Sequence, residues 1–128
     1  MRLLLDTHAY FWWVLDQPEL SRHASEVLAQ DSNDIVLSAV VIWELATKSR
    51  LGKLPQAQSV LDDVADSVLD AALIRLPVSL DHARLAGSLS SPHKDPFDRM
   101  LAAQAILEDL TLVTTDPAFR TLSCRTLW

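Results

Sequence analysis

Four acidic residues, spread along the chain, stand where apolar segments end or where a helix is expected: Asp6, Glu44, Asp98 and Asp116. Carboxylates brought close together repel one another, so a cluster that stays ionised near neutral pH requires a cation. Mg²⁺ prefers oxygen ligands and retains several waters, which suits hydrolysis of a phosphodiester. We therefore interpret the four acids as metal ligands and catalytic groups of one site that binds a hard divalent cation such as Mg²⁺.

Each of these acids also has a structural interpretation. Asp6 could simply terminate a strand, and Glu44 could form an ordinary solvated i,i+4 pair with Lys48, which for Glu44 alone is at least as good an account. Asp98 could favour a helix N-terminus, and Asp116 could be a turn residue. The position of Asp6 directly between an apolar strand and a helix favours a function, and Asp116 occupies the same kind of position.

Other types of site are disfavoured. The histidines show no HExxH spacing, so nothing indicates zinc, and His8 is only a secondary candidate ligand. The single cysteine, Cys124, has no partner for a disulfide, which agrees with a reducing, cytoplasmic compartment. The net charge of −6 argues against a broad basic surface, so any contact with nucleic acid must be local.

The 128 residues fit one domain, 1–128, without repeats or a linker. The apolar opening segment is interrupted by Asp6 and His8, which predicts mature structure rather than a signal peptide, and no stretch is long enough to span a membrane. Strands are predicted at 2–5, 35–37, 73–76, 111–114 and 124–127. Helices are predicted at 9–15, 21–30, 39–51 and 57–69, then one after Ser79 and one from Pro96.

Cap residues fix several of these helix ends. Ser21, Ser38, Ser79 and Asp95 are predicted N-caps, and Gly52 is the predicted C′ residue of the helix that carries Glu44. The alternation of strands and helices predicts an α/β fold with a mostly parallel sheet and helices on both faces. Ligands of such sheets bind beyond the carboxyl ends of the strands, where Asp6 and Asp116 fall.

Four segments together resemble the PIN-domain nucleases, especially VapC-type toxins of toxin–antitoxin pairs. They are LLLDTHAYFWW, SAVVIWELATKSRLGKL, HKDPFDRMLAAQA and LTLVTTDPAF, and they span nearly the whole chain. The resemblance matches Asp6, Glu44, Asp98 and Asp116 to the family's acidic residues, one by one. It implies a PIN-like fold, RNA cleavage, a magnesium or manganese requirement, homodimerisation and inhibition by a cognate antitoxin.

Residues outside the acidic set carry further expectations. Arg99, which adjoins Asp98, and Lys48 are candidate substrate-binding residues that would guide phosphates to the acids. The tryptophans are interpreted as core or interface residues rather than RNA-stacking residues. Trp43, Leu51 and Leu54 form a candidate apolar patch for a symmetric homodimer.

Two alternatives to a nuclease remain. A receiver-like module would bind magnesium in an acidic pocket and accept a phosphoryl group, but it requires paired acids at the first strand and a lysine after the last, and no lysine follows Lys94. A catalytically silent, magnesium-binding interaction domain is the other alternative. The retention of four acids favours the nuclease.

Overall fold

The structure is a computed structural model that describes residues 1–128. Its strands are β1 (Arg2–Leu5), β2 (Asp34–Ser38), β3 (Ile74–Leu76), β4 (Thr111–Val113) and β5 (Thr126–Leu127). Its helices are α1 (Thr7–Val14), α2 (Arg22–Leu28), α3 (Ala39–Arg50), α4 (Ala57–Asp62), α5 (Val64–Asp70), α6 (Leu80–Ser88) and α7 (Pro96–Leu107). A 3₁₀ helix covers Pro117–Leu122.

The five strands form one sheet in the order β3-β2-β1-β4-β5, and every pairing is parallel. The predicted mostly parallel sheet is thus confirmed and is wholly parallel, with β5 at one edge. Strand β1 lies in the middle because its apolar residues, Leu3, Leu4 and Leu5, are completely buried. Such burial on both faces is typical of a parallel sheet covered by helices.

The connections place helices on both faces of the sheet. Crossovers between parallel strands are right-handed, and the chain moves from β1 through β2 to β3 in one direction across the sheet. It then returns past β1 to β4, so α6 and α7 cover the face opposite to the earlier helices. The longest helices, α3 and α7, have 12 residues each, and none of the helices could span a membrane.

The predicted caps are confirmed. Ser21, Ser38, Ser79 and Asp95 each accept a hydrogen bond from a backbone N–H in the first turn of a helix. Gly52 follows the C-cap of α3 with φ of +67°, a conformation that glycine adopts without steric cost.

Two predicted helices are wrong in their bounds. Helix α1 begins at Thr7 rather than Ala9, because the Asp6 side chain caps it. The single helix predicted for 57–69 is two helices, α4 and α5, because Asp63 has ψ of 2° and interrupts the helical backbone. Neither glycine nor proline marks this break in the sequence.

Candidate active site

The sheet brings the ends of β1 and β4 together. The register pairs Leu5 with Val113, so the next residues, Asp6 and Thr114, follow side by side. From β1 the chain continues to the neighbouring strand on one side, β2, and then to β3 at that edge of the sheet. The neighbour of β1 on the other side is β4, which the chain reaches only afterwards. This is the point where the strand order reverses, and in open α/β sheets ligands bind beyond the carboxyl ends of the strands at such a point.

Asp6 is buried at this point, with 7% of its surface exposed. Its Oδ1 atom accepts a hydrogen bond of 2.7 Å from the backbone N–H of Ala9, so the catalytic candidate is also the N-cap of α1. Burial raises the pKa of Asp6, and the nearby charge of Glu44 raises it further. The Thr114 side chain and the backbone N–H of Ala9 lower the pKa, but they do not offset the effect of burial.

Glu44 reaches the site from the middle of α3, and it is 6% exposed. The Thr7 hydroxyl donates to its Oε1 atom at 2.6 Å, and the Lys48 Nζ atom lies 2.7 Å from its Oε2 atom. The i,i+4 pair considered from the sequence therefore exists, but its carboxylate is buried. A solvated surface pair is the wrong description of Glu44.

Asp98 lies in the first turn of α7, whose N-cap is Asp95. The His93 Nε2 atom is 2.7 Å from Oδ2 of Asp98. Burial is the main reason why the pKa of Asp98 is raised to about 6. The charges of Asp95 and Glu44 raise it as well, whereas the hydrogen bond from His93 lowers it. Glu44 therefore acts electrostatically on both Asp6 and Asp98, which makes these three acids one coupled group.

Asp116 differs from the other three acids because it is exposed. Its Oδ1 atom accepts a hydrogen bond of 2.9 Å from Ala118 and caps the 3₁₀ helix. Its backbone N–H donates to the Thr114 hydroxyl at 3.0 Å, and the Thr114 side chain also lowers the pKa of Asp6. Asp116 is not among the charges that shift the pKa of Asp6 or Asp98. It lies at the rim of the site, connected to it through Thr114.

The donor set has the chemistry of a site for a hard divalent cation. Every acid offers carboxylate oxygens, which Mg²⁺ and Mn²⁺ prefer, and the raised pKa of Asp6 and Asp98 marks negative charge that the protein compensates incompletely. No group of three or more His, Cys, Asp or Glu side chains is nevertheless arranged to enclose an ion. Mg²⁺ retains several waters and needs only one or two protein carboxylates, so an open site of this kind still fits it.

Arg99, a predicted substrate-binding residue, is bound within the protein. Its guanidinium donates to four backbone carbonyls, that of Ala86 in the last turn of α6 and those of Leu89, Ser91 and His93 between α6 and α7. Four of the five guanidinium N–H groups are thereby used inside the protein. Arg99 thus holds the segment that carries His93 next to Asp98.

Three residues of the site were not identified from the sequence: Thr7, His93 and Thr114. Thr7 hydrogen-bonds Glu44 and His93 hydrogen-bonds Asp98, while Thr114 follows β4 beside Asp6 and lowers its pKa. All three lie within the segments that resemble PIN-domain nucleases. Their closeness in sequence to Asp6, Asp98 and Asp116 was the available signal.

The tryptophans divide into two groups. Trp12, Trp13 and Trp128 are partly buried against the core, as predicted. Trp43 is 55% exposed and meets Phe97 edge-on, with ring centroids 4.6 Å apart. Leu51 is also exposed, whereas Leu54 packs partly buried against the core, so the candidate dimer patch is only partly free.

Comparison with known proteins identifies the family. The model of the PIN domain matches residues 3–123. Ribonuclease VapC22 of Mycobacterium tuberculosis is 28% identical over 118 residues, which cover 92% of this chain and 89% of that protein. Two solved structures share the fold. VapBC2 of Rickettsia felis bound to a promoter DNA fragment has a TM-score of 0.71 and 21% identity, and the match covers 99% of this chain and 98% of that chain. FitAcB of Neisseria gonorrhoeae has a TM-score of 0.69 and 24% identity, and the match covers 98% of this chain and 96% of that chain. The chain belongs to the PIN-domain family.

Proposed function

We propose that this protein is a metal-dependent endoribonuclease and the toxin of a toxin–antitoxin pair. The observation that carries the proposal is the coupled group of three carboxylates at the carboxyl edge of the sheet, in which Asp6 and Glu44 are buried and Asp98 is partly buried. Placing acids together out of water is unfavourable unless a cation joins them. The similarity to a ribonuclease named VapC22 supports RNA as the substrate.

Each acid has a proposed role. Asp6 and Asp98 are the first choices for direct metal ligands, and Glu44 and Asp116 bind the ion directly or through water. When bound, Mg²⁺ or Mn²⁺ activates a water and stabilises the charge that develops on the scissile phosphate. The protein's part is to hold these acids in place, with Ala9 fixing Asp6, Thr7 and Lys48 fixing Glu44, and His93 fixing Asp98.

The test is cleavage of total RNA by the purified chain, with Mg²⁺ or Mn²⁺ and with chelator. The wild type should cleave only with metal, and Asp6→Asn should lose activity by about 100-fold or more, because it removes a charge that holds the ion. The exposed Asp31→Asn is the matched control and should retain activity. Equal cleavage by wild type and Asp6→Asn would contradict the proposal, and metal binding without any cleavage would favour the silent interaction domain.

The proposed partners are RNA, a cognate antitoxin and a second copy of the chain, in the cytoplasm. The VapBC2 structure supports the antitoxin, because the VapBC family consists of toxin–antitoxin systems and the fold of VapBC2 is shared with this chain. The exposed Trp43 and Leu51 support a homodimer, since two-fold pairing is the commonest way to cover an apolar surface. A persistent monomer at micromolar concentration in sedimentation would contradict the dimer.

A further inference from the structure

Lys48 forms an ion pair that differs from the others in the structure. Its Nζ atom lies 2.7 Å from Oε2 of Glu44, and only 8% of the Glu44 side chain is exposed, against 28% of the Lys48 side chain. The remaining pairs of arginine with an acid are all on the surface, where both side chains are more than half exposed. Lys48 alone among the lysines and arginines brings its charge to a buried carboxylate.

Glu44 has no free carboxylate oxygen in this arrangement. Oε1 accepts the Thr7 hydroxyl and Oε2 is held by Lys48. The charge of Glu44 raises the pKa of both Asp6 and Asp98. The Lys48 ammonium is therefore bound to the acid that interacts with both of the others. It supplies positive charge where a divalent cation would supply it.

We propose that Lys48 is the resident cation of the acidic site, holding Glu44 until a divalent metal displaces the ammonium from Oε2. The inference rests on the proposed function, since it requires a metal at these acids. It replaces the expectation that Lys48 binds substrate phosphate in the resting protein.

The chemistry of lysine suits this exchange. An ammonium is a compact point charge on a flexible stem, and the partly exposed Lys48 can turn its charge into water without repacking the core. While the Lys48 ammonium is bound to Glu44, it competes with the metal ion for Oε2 and repels that ion. Removing this charge should therefore strengthen metal binding and destabilise the metal-free protein.

The experiment is calorimetric titration of Mg²⁺ into metal-free wild type and three variants, Lys48→Met, Lys48→Arg and Lys53→Met. Lys48→Met should bind Mg²⁺ about tenfold more tightly, the order of effect expected from losing one charge-assisted hydrogen bond. Lys48→Arg keeps the charge and should bind no more tightly than wild type. Lys53→Met removes an exposed lysine just beyond α3 and should leave the affinity unchanged.

Thermal melts in chelator provide a second readout, because Lys48→Met should then melt below wild type and recover with Mg²⁺. If Lys48→Met folds poorly, Lys48→Gln, which retains a donor but no charge, takes its place. Equal or weaker Mg²⁺ binding by the neutral variants would overturn the inference, as would an equal gain in Lys53→Met. Failure of wild type and all variants to bind Mg²⁺ would overturn the metal site itself, and this inference with it.

Discussion

Helix α7 contributes to two polar regions that are built in opposite ways. Its first turn places Asp98 in the acidic site, whereas its second half places Gln104 in a network of hydrogen bonds. Gln104 is completely buried, accepts from the Ser38 hydroxyl and donates to the carbonyl of Pro77 at 3.2 Å. The buried His82 accepts from the backbone N–H of Ser79 through Nδ1, and its Nε2 atom lies 2.8 Å from Glu108.

The region around Gln104 has the features of a stabilising network, whereas the region around Asp98 has those of a functional site. Around Gln104, amide, hydroxyl and imidazole groups find their partners within the protein, which makes burial of polar atoms compatible with folding. Around Asp98, burial raises the pKa of the carboxyl to about 6 despite a hydrogen bond from His93. Acids whose pKa is shifted by burial and by neighbouring charges are typical of functional sites rather than of packing.

The largest expected loss of stability follows from breaking the network. Gln104→Leu removes the acceptor of Ser38 and the donor to Pro77, so it should lower the free energy of unfolding by about 2–3 kcal/mol. The loss should be the same with chelator and with Mg²⁺. Chemical denaturation measures it, with the exposed Gln30→Leu as control. A loss below about 0.5 kcal/mol, the usual size of surface effects, would show that the network is not stabilising.

In the acidic site, the substitution Asp98→Asn should have the opposite effect and stabilise the metal-free protein. Asp98→Asn removes a charge whose burial raises its pKa from 3.8 to about 6, so the gain at about pH 8 should be roughly 1–3 kcal/mol. RNA cleavage should be lost at the same time. Asn retains an oxygen that can accept from His93, so the change tests charge rather than packing.

The pH dependence of this gain has a definite sign. A raised folded pKa means that the folded wild type binds the extra proton, so its stability is greatest below about pH 4 and falls as the pH rises through about 6. The difference between Asp98→Asn and wild type should therefore grow across that interval. Urea unfolding at a series of pH values measures it, and a difference that stays constant with pH would contradict the assignment.

The sequence was sufficient for the parts of the fold that depend on local patterns. The apolar run before Asp6 and the N-caps Ser38 and Asp95 predict β1, α3 and α7, because burial and capping are properties of neighbouring residues. The break at Asp63 could not be predicted, since no residue there excludes a continuous helix.

The same distinction applies to the site. Asp6, Glu44, Asp98 and Asp116 could be proposed from residue type, position and resemblance, but their environments depend on contacts between distant segments. Thr7 meets Glu44 across 37 positions, and such a contact has no local signature. Arg99 was assigned to substrate because it adjoins Asp98, although its guanidinium turns back to the carbonyls before α7.

The central claim is that Asp6, Glu44 and Asp98 form one site for a divalent cation. Thermal melts between about pH 5 and pH 8, with chelator or saturating Mg²⁺, test it most directly. Without metal, the raised pKa of Asp6 and Asp98 should make the protein more stable as the pH falls. Mg²⁺ binds the ionised acids of the folded state, so its stabilising increment should be larger at the high end of this range and fade as acid displaces it. An increment that is independent of pH, or absent throughout, would contradict the account.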